Sequence, residues 1–170
     1  MGKSNYASNG ILALIFQGTP WDVLAQNSSI PATSLYVALH TADPGPNGLQ
    51  NTNEVYYSGY SRVGVLRSSI GWSVPTQQFV HPNAGIVFPI GNGGGFSIAT
   101  YWSIGTLPGG SVLTDSQGNP LLDAAGNMLY SSGTGAGSTP IIYSGPIVPS
   151  IVCGNGVTPL LTTASIVTES

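Results

Sequence analysis

The chain has 170 residues, of which three are Lys or Arg and six are Asp or Glu, for a net charge of −3. Charged residues make up 5% of the total, against about a quarter in an ordinary soluble domain, and their places are taken by Gly, Pro, Ser, Thr and Asn. Three cations cannot neutralise enough phosphates to hold a nucleic acid, and a mean hydropathy of +0.21 excludes a charge-rich disordered chain.

The N-terminus carries the one helical pattern. Ser4 or Asn5 offers an N-cap, apolar residues follow at 7, 11, 14 and 15, and Gly18 supplies a stop. The apolar run Ile11 to Phe16 is too short for a membrane span or a signal-peptide core. Strand material follows at residues 34–41, ended by the turn-rich stretch Asp43-Pro44-Gly45-Pro46-Asn47-Gly48. Further strands are expected at 56–67, 72–74, 78–80, 85–88 and 98–104, and again at 141–145, 147–148, 150–152 and 160–167. Short strands with frequent turns and no second helix predict an all-β fold, an antiparallel β-sandwich of jelly-roll-like or Greek-key type with one short N-terminal α-helix. A single domain, 1–170, is expected, with residues 1–20 as a helical arm.

Residues 109–140 shift further towards Gly, Ser, Thr and Asn and contain a repeat of period eight. Asp115-x-x-Gly118-Asn119-x-Leu121 is followed by Asp123-x-x-Gly126-Asn127-x-Leu129. Asp at the head of a turn accepts backbone N–H bonds and Gly takes the positive-φ position, so each copy predicts a turn leading into a short strand. The segment is expected to be a protruding Gly/Asn-rich hairpin.

Catalytic chemistry has little support. His40 and Asp43 stand at a strand end among many serines, but no Gly-x-Ser-x-Gly elbow occurs and the six carboxylates are scattered singly. No enzymatic activity and no cofactor are expected. Asp115 and Asp123 with Asn119 and Asn127 offer oxygen ligands to a hard cation, yet lack the acidic density of a calcium loop, and turn formation accounts for them. One cysteine, Cys153, precludes a disulfide and a Cys-based zinc site, so no metal is expected. Gly91 to Phe96 has no following Lys-Ser/Thr and reads as a wide loop, not a phosphate cradle. Trp21, Trp72, Trp102 and the tyrosines are assigned mainly to core or interface.

Leu35-Tyr36-Val37-Ala38-Leu39-His40-Thr41-Ala42-Asp43-Pro44, then Asn53-Glu54-Val55, then Gly59-Tyr60-Ser61-Arg62, resembles a family of small tailed-phage virion proteins carrying "LYVALHTADP", "NEV" and "Gly-Tyr-Ala-Arg" elements. Ile86-Val87-Phe88-Pro89 and the closing stretch from Ile142 fit the same pattern, while residues 109–140 depart from it as an insertion. The resemblance implies a structural protein on the phage particle, made in the bacterial host cytoplasm. Members are described as tail-fibre proteins or as capsid decoration (cement) proteins. The compact, weakly charged chain favours a decoration protein on the outer surface of the head, bound to the major capsid protein and forming a dimer or trimer, with no nucleic-acid or membrane partner. The alternative is a tail-fibre or receptor-binding module that contacts a host glycan. Interface candidates are Tyr6, Ile11, Phe16, Trp21, His40, Asp43, Pro44 and Pro46. Arg62 is expected to form an ion pair with Glu54 or Asp43 that holds the long loop to the sheet.

Overall fold

A computed structural model describes residues 4–20, 31–46, 48–124, 126–131 and 140–169. Among them the fold is all-β and antiparallel, with one short N-terminal helix. Helix α1 (Asn5–Leu12) starts at Ser4, whose hydroxyl accepts the Ala7 N–H at 3.3 Å. It widens into a π-helical turn, Ala13–Gln17, and stops at Gly18 with φ of 68°. The buried stripe is Ser8, Leu12 and Phe16, one position along from the expected 7, 11, 14 and 15, so Ile11 is only half-buried.

The strands are β1 (Ser34–His40), β2 (Val63–Leu66), β3 (Phe79–Val80), β4 (Ile86–Val87), β5 (Phe96–Gly105), β6 (Tyr143–Gly154), β7 (Leu160–Leu161) and β8 (Val167–Thr168). The main sheet has the order β2-β1-β5-β6, and β3 pairs with β8 and β4 with β7. In β1 and β5, Val37 faces Ile104 and His40 faces Tyr101. The expected strand over 56–67 survives only as β2. Gly59, at φ of 95°, and a Tyr60 N–H bond to the Tyr57 carbonyl turn the chain before it. Conversely, the material of 141–152 fuses into the single long strand β6, whose residues 147–150 are fitted opposite Thr100 in a register jump.

The chain divides into two compact units. One comprises residues 1–35, 65–86 and 161–170; the other comprises 36–64 and 87–160. In the first, Phe16 meets Trp72 edge to face with ring centroids 4.6 Å apart. Arg67 closes the helical end there, donating from Nε to the Ile15 carbonyl at 2.6 Å and from Nη2 to the Leu14 carbonyl. A cation on orphan C-terminal carbonyls satisfies both the dipole and the hydrogen bonds. In the second unit Val37, Leu39, Val55, Tyr57, Phe88, Ala99 and Ile104 are buried, and Tyr60 stacks on Phe88.

Candidate functional site

The loop after β1 folds back on the strand it leaves. Thr41 N–H donates to the Asn53 carbonyl at 2.7 Å and Val55 N–H to the Leu39 carbonyl at 3.0 Å, which sets Glu54 directly beside His40. Asp43 shapes that loop from outside, accepting the Gly45 N–H at 2.8 Å through Oδ1. Arg62, just before β2, reaches the same place.

Glu54 and Arg62 form a bidentate pair buried among polar side chains. Arg62 Nε donates to Glu54 Oε1 and Nη2 to Oε2, each at 2.8 Å. The remaining carboxylate lone pairs are filled by hydroxyls: Tyr60 donates to Oε1 at 2.9 Å and Tyr130 to Oε2. Tyr60 Oη in turn accepts the Leu39 N–H at 3.1 Å, tying the pair to β1. Arg62 also lies over the Tyr130 ring, 5.5 Å from its centroid. Burial alone would lower the Arg62 pKa, but the hydrogen bonds and charge of Glu54 outweigh it and the pKa rises. Burial, then the Glu54 charge, pushes both phenols well up, so Tyr60 and Tyr130 stay protonated donors.

A neutral branch continues the network. Gln50 accepts from Arg62 Nη1 at 3.4 Å and donates from Nε2 to the Tyr36 carbonyl at 2.9 Å and to Ser103 Oγ at 3.4 Å. Gln50 fits only because residue 105 is glycine: a Cβ there would stand 2.3 Å from Gln50 Oε1. His40 Nδ1 lies 2.7 Å from the Thr52 carbonyl, which can only accept, so this nitrogen carries the proton; Nε2 then accepts from the Ser103 hydroxyl at 2.7 Å. Burial lowers the His40 pKa below 6.5, ahead of the Thr52 bond and the Glu54 charge that oppose it. The Ser103–His40 distance suits a nucleophile and its base, but both side chains are fully buried and a backbone carbonyl, not a carboxylate, orients the imidazole.

The Gly/Asn-rich segment is rooted on this network through Tyr130. Its two turns are near copies: Asp115 and Asp123 accept the Asn119 and Asn127 N–H groups at 2.9 Å, with Gly118 and Gly126 at φ of 82° and 84°. The Asn119 side-chain amide, then its backbone N–H, holds the Asp115 carboxyl below its usual range. Three leucines eight residues apart close a ring: Leu121 N–H donates to the Leu113 carbonyl, Leu129 to Leu121, and Leu113 to Leu129, each at 2.8 Å. Tyr56 Oη donates to the Gly118 carbonyl at 2.6 Å, pinning the first turn as well.

The family model described as Podophage GP4 fiber I protein gp80 matches residues 2–137. The chain belongs to this family. It is accordingly a structural protein of a phage particle. The match runs through most of the Gly/Asn-rich segment, which the sequence alone had set apart as an insertion. No curated protein matches the chain.

Against this family background the expected contact residues separate into two groups. Tyr6, Asp43 and Pro46 are exposed, whereas Phe16, His40 and Pro44 are buried and out of reach of a partner, Phe16 because it packs on Trp72. Trp21 lies outside the described residues. Glu54, not Asp43, pairs with Arg62. Among the described residues no group of three His, Cys, Asp or Glu side chains is placed to hold a metal ion, and no helix is long and apolar enough to cross a membrane. The network residues that sequence reasoning missed are Gln50, Ser103 and Tyr130. Only Tyr130 had a signal, since it follows Leu129 in the register of the eight-residue repeat.

Proposed function

We propose that the chain is a fibre-type component of the phage particle, a structural module that offers contact surface and performs no chemistry. Membership of a family described as a fibre protein, over residues 2–137, carries the reading. The fate of the motif side chains supports it: Glu54, Tyr60 and Arg62 are spent on one another, His40 is spent on the Thr52 carbonyl and the Ser103 hydroxyl, and none is displayed to a substrate. The network fastens the Gly/Asn-rich segment to the body and leaves the exposed turns around Gly118 and Gly126, each headed by an aspartate bonded to its own turn, as the contact surface.

The second reading, a decoration protein seated on the major capsid protein, is favoured by the same lack of charge, since a neutral surface can be covered without burying unpaired ions. Antibody-labelled electron microscopy of intact particles separates the two. Label on the tail or its appendages is expected; label spread evenly over the head overturns the fibre reading.

A further inference from the structure

The sequence holds four Asn-Gly pairs, beginning at residues 9, 47, 92 and 155. Such pairs are chemically labile, because the glycine nitrogen that follows the asparagine can attack its side-chain amide with no Cβ in the way. Folding decides which pair is free to react. Asn9-Gly10 lies inside α1, where a helical N–H is committed to the carbonyl four residues back, and Asn9 Oδ1 accepts the Gln78 N–H at 2.9 Å. Asn155-Gly156 is exposed, but the Gly156 N–H donates to the Gly91 carbonyl at 2.8 Å. Asn47 lies outside the described residues.

Asn92-Gly93 differs from both described pairs. Asn92 is exposed, and the Gly93 N–H makes no hydrogen bond among the described residues. The Ser58 hydroxyl donates to Asn92 Oδ1 at 2.8 Å, which polarises the amide carbon towards attack. A Cβ on Gly93 would stand 3.1 Å from Ser58 Oγ, so the hydroxyl lies against both halves of the Asn92-Gly93 joint. The Asn92 N–H donates to the Ser58 carbonyl at 3.0 Å and pins the asparagine, while Gly94 and Gly95 leave the following chain free to turn. We propose that Asn92 is the preferred site of spontaneous deamidation among the described pairs, with Ser58 as the positioning hydroxyl. Gly93 N gives its proton to solvent base and bonds to Asn92 Cγ, and Ser58 stabilises the oxyanion that forms on Oδ1. The Cγ–Nδ2 bond then breaks and Nδ2, protonated by solvent, leaves as ammonia, closing a succinimide. Water opens either ring carbonyl–nitrogen bond, giving aspartate or isoaspartate. The product places one negative charge in the stretch between Arg67 and Asp115, which has none, wherever in the particle the chain sits.

The test is peptide mass spectrometry of the full chain, incubated at mildly alkaline pH and sampled over time for conversion of amide to acid at each asparagine. In folded protein Asn92 is expected to convert roughly tenfold faster than Asn155 or Asn9, whose partners must first let go. In urea the three should convert at similar rates. Ser58→Ala should slow conversion of Asn92 by roughly two- to tenfold, the worth of one hydrogen bond, with the circular-dichroism spectrum preserved. Gly93→Ala, which puts a Cβ on the attacking residue, should slow it as well and serves if Ser58→Ala does not fold. An Asn92 that stays intact while Asn155 or Asn9 converts overturns the proposal. So does a ranking that persists unchanged in urea, since sequence and not folding would then set it. Conversion that is as fast or faster in folded Ser58→Ala overturns the role of Ser58.

Discussion

Tyr130 donates a hydrogen bond to Glu54 across 76 positions of sequence, so the Gly/Asn-rich segment is anchored to the carboxylate that also holds Arg62. One buried charge thus joins three parts of the chain: the loop after β1, the approach to β2, and the root of the eight-residue repeat.

Tyr130→Phe removes a hydroxyl bonded to a charged group and should cost roughly 1.5–3 kcal/mol. The loss should be local. Hydrogen exchange is expected to quicken over residues 109–131 while amides of β1 and β5 keep their protection; uniform quickening would mean that Tyr130 supports the whole fold.

Removing one partner of the buried pair strands the other. Arg62→Ala and Glu54→Gln should each destabilise by about 3–5 kcal/mol in urea denaturation. Arg62→Lys should also be costly, because an ammonium cannot reproduce the two parallel bonds to the carboxylate. A double replacement of Arg62 and Glu54 by apolar residues of similar size should cost less than the two single losses added together.

Acid should weaken the fold through His40. Its pKa in the folded protein lies below the 6.5 of an unfolded histidine, so the unfolded chain binds the extra proton first as pH falls. The His40 contribution is complete above that value and is lost as pH drops from it towards the folded pKa, at no more than about 1.4 kcal/mol per pH unit. Urea midpoints measured across this window should fall with acid in the wild type, and His40→Asn, though less stable throughout, should show a flatter slope there.

Arg67 serves the other unit. Arg67→Ala leaves the Leu14 and Ile15 carbonyls without their cationic donor and should cost about 1–2 kcal/mol, while Arg67→Lys should recover part of the loss by keeping the charge at the helix end. Thermal melts of the two variants check the order.

Local chemistry made much of this legible. Ser4, Gly18, Asp115, Gly118, Asp123 and Gly126 act through backbone hydrogen bonds and positive φ within a few residues, and each stands where its residue type directed. The all-β class followed from turn spacing. Long-range partners were less accessible. Glu54 and Arg62 could be matched because ions are so scarce here, but Gln50 and Ser103 are neutral residues of common types, and nothing in their local pattern points to a bond with each other. The strand over 56–67 failed for a similar reason: its alternation of apolar and polar residues reflects Tyr57, Tyr60 and Arg62 turning into the core through a bend, not a pleated ladder.

The proposed role places the chain in a fibre and not in a coat on the head. Quantitative mass spectrometry of purified particles, before and after the tails are stripped, tests it most directly. The fibre reading predicts that the chain leaves with the tails and matches the copy number of a tail appendage. Retention on the stripped heads, at a copy number commensurate with the capsid lattice, would contradict it.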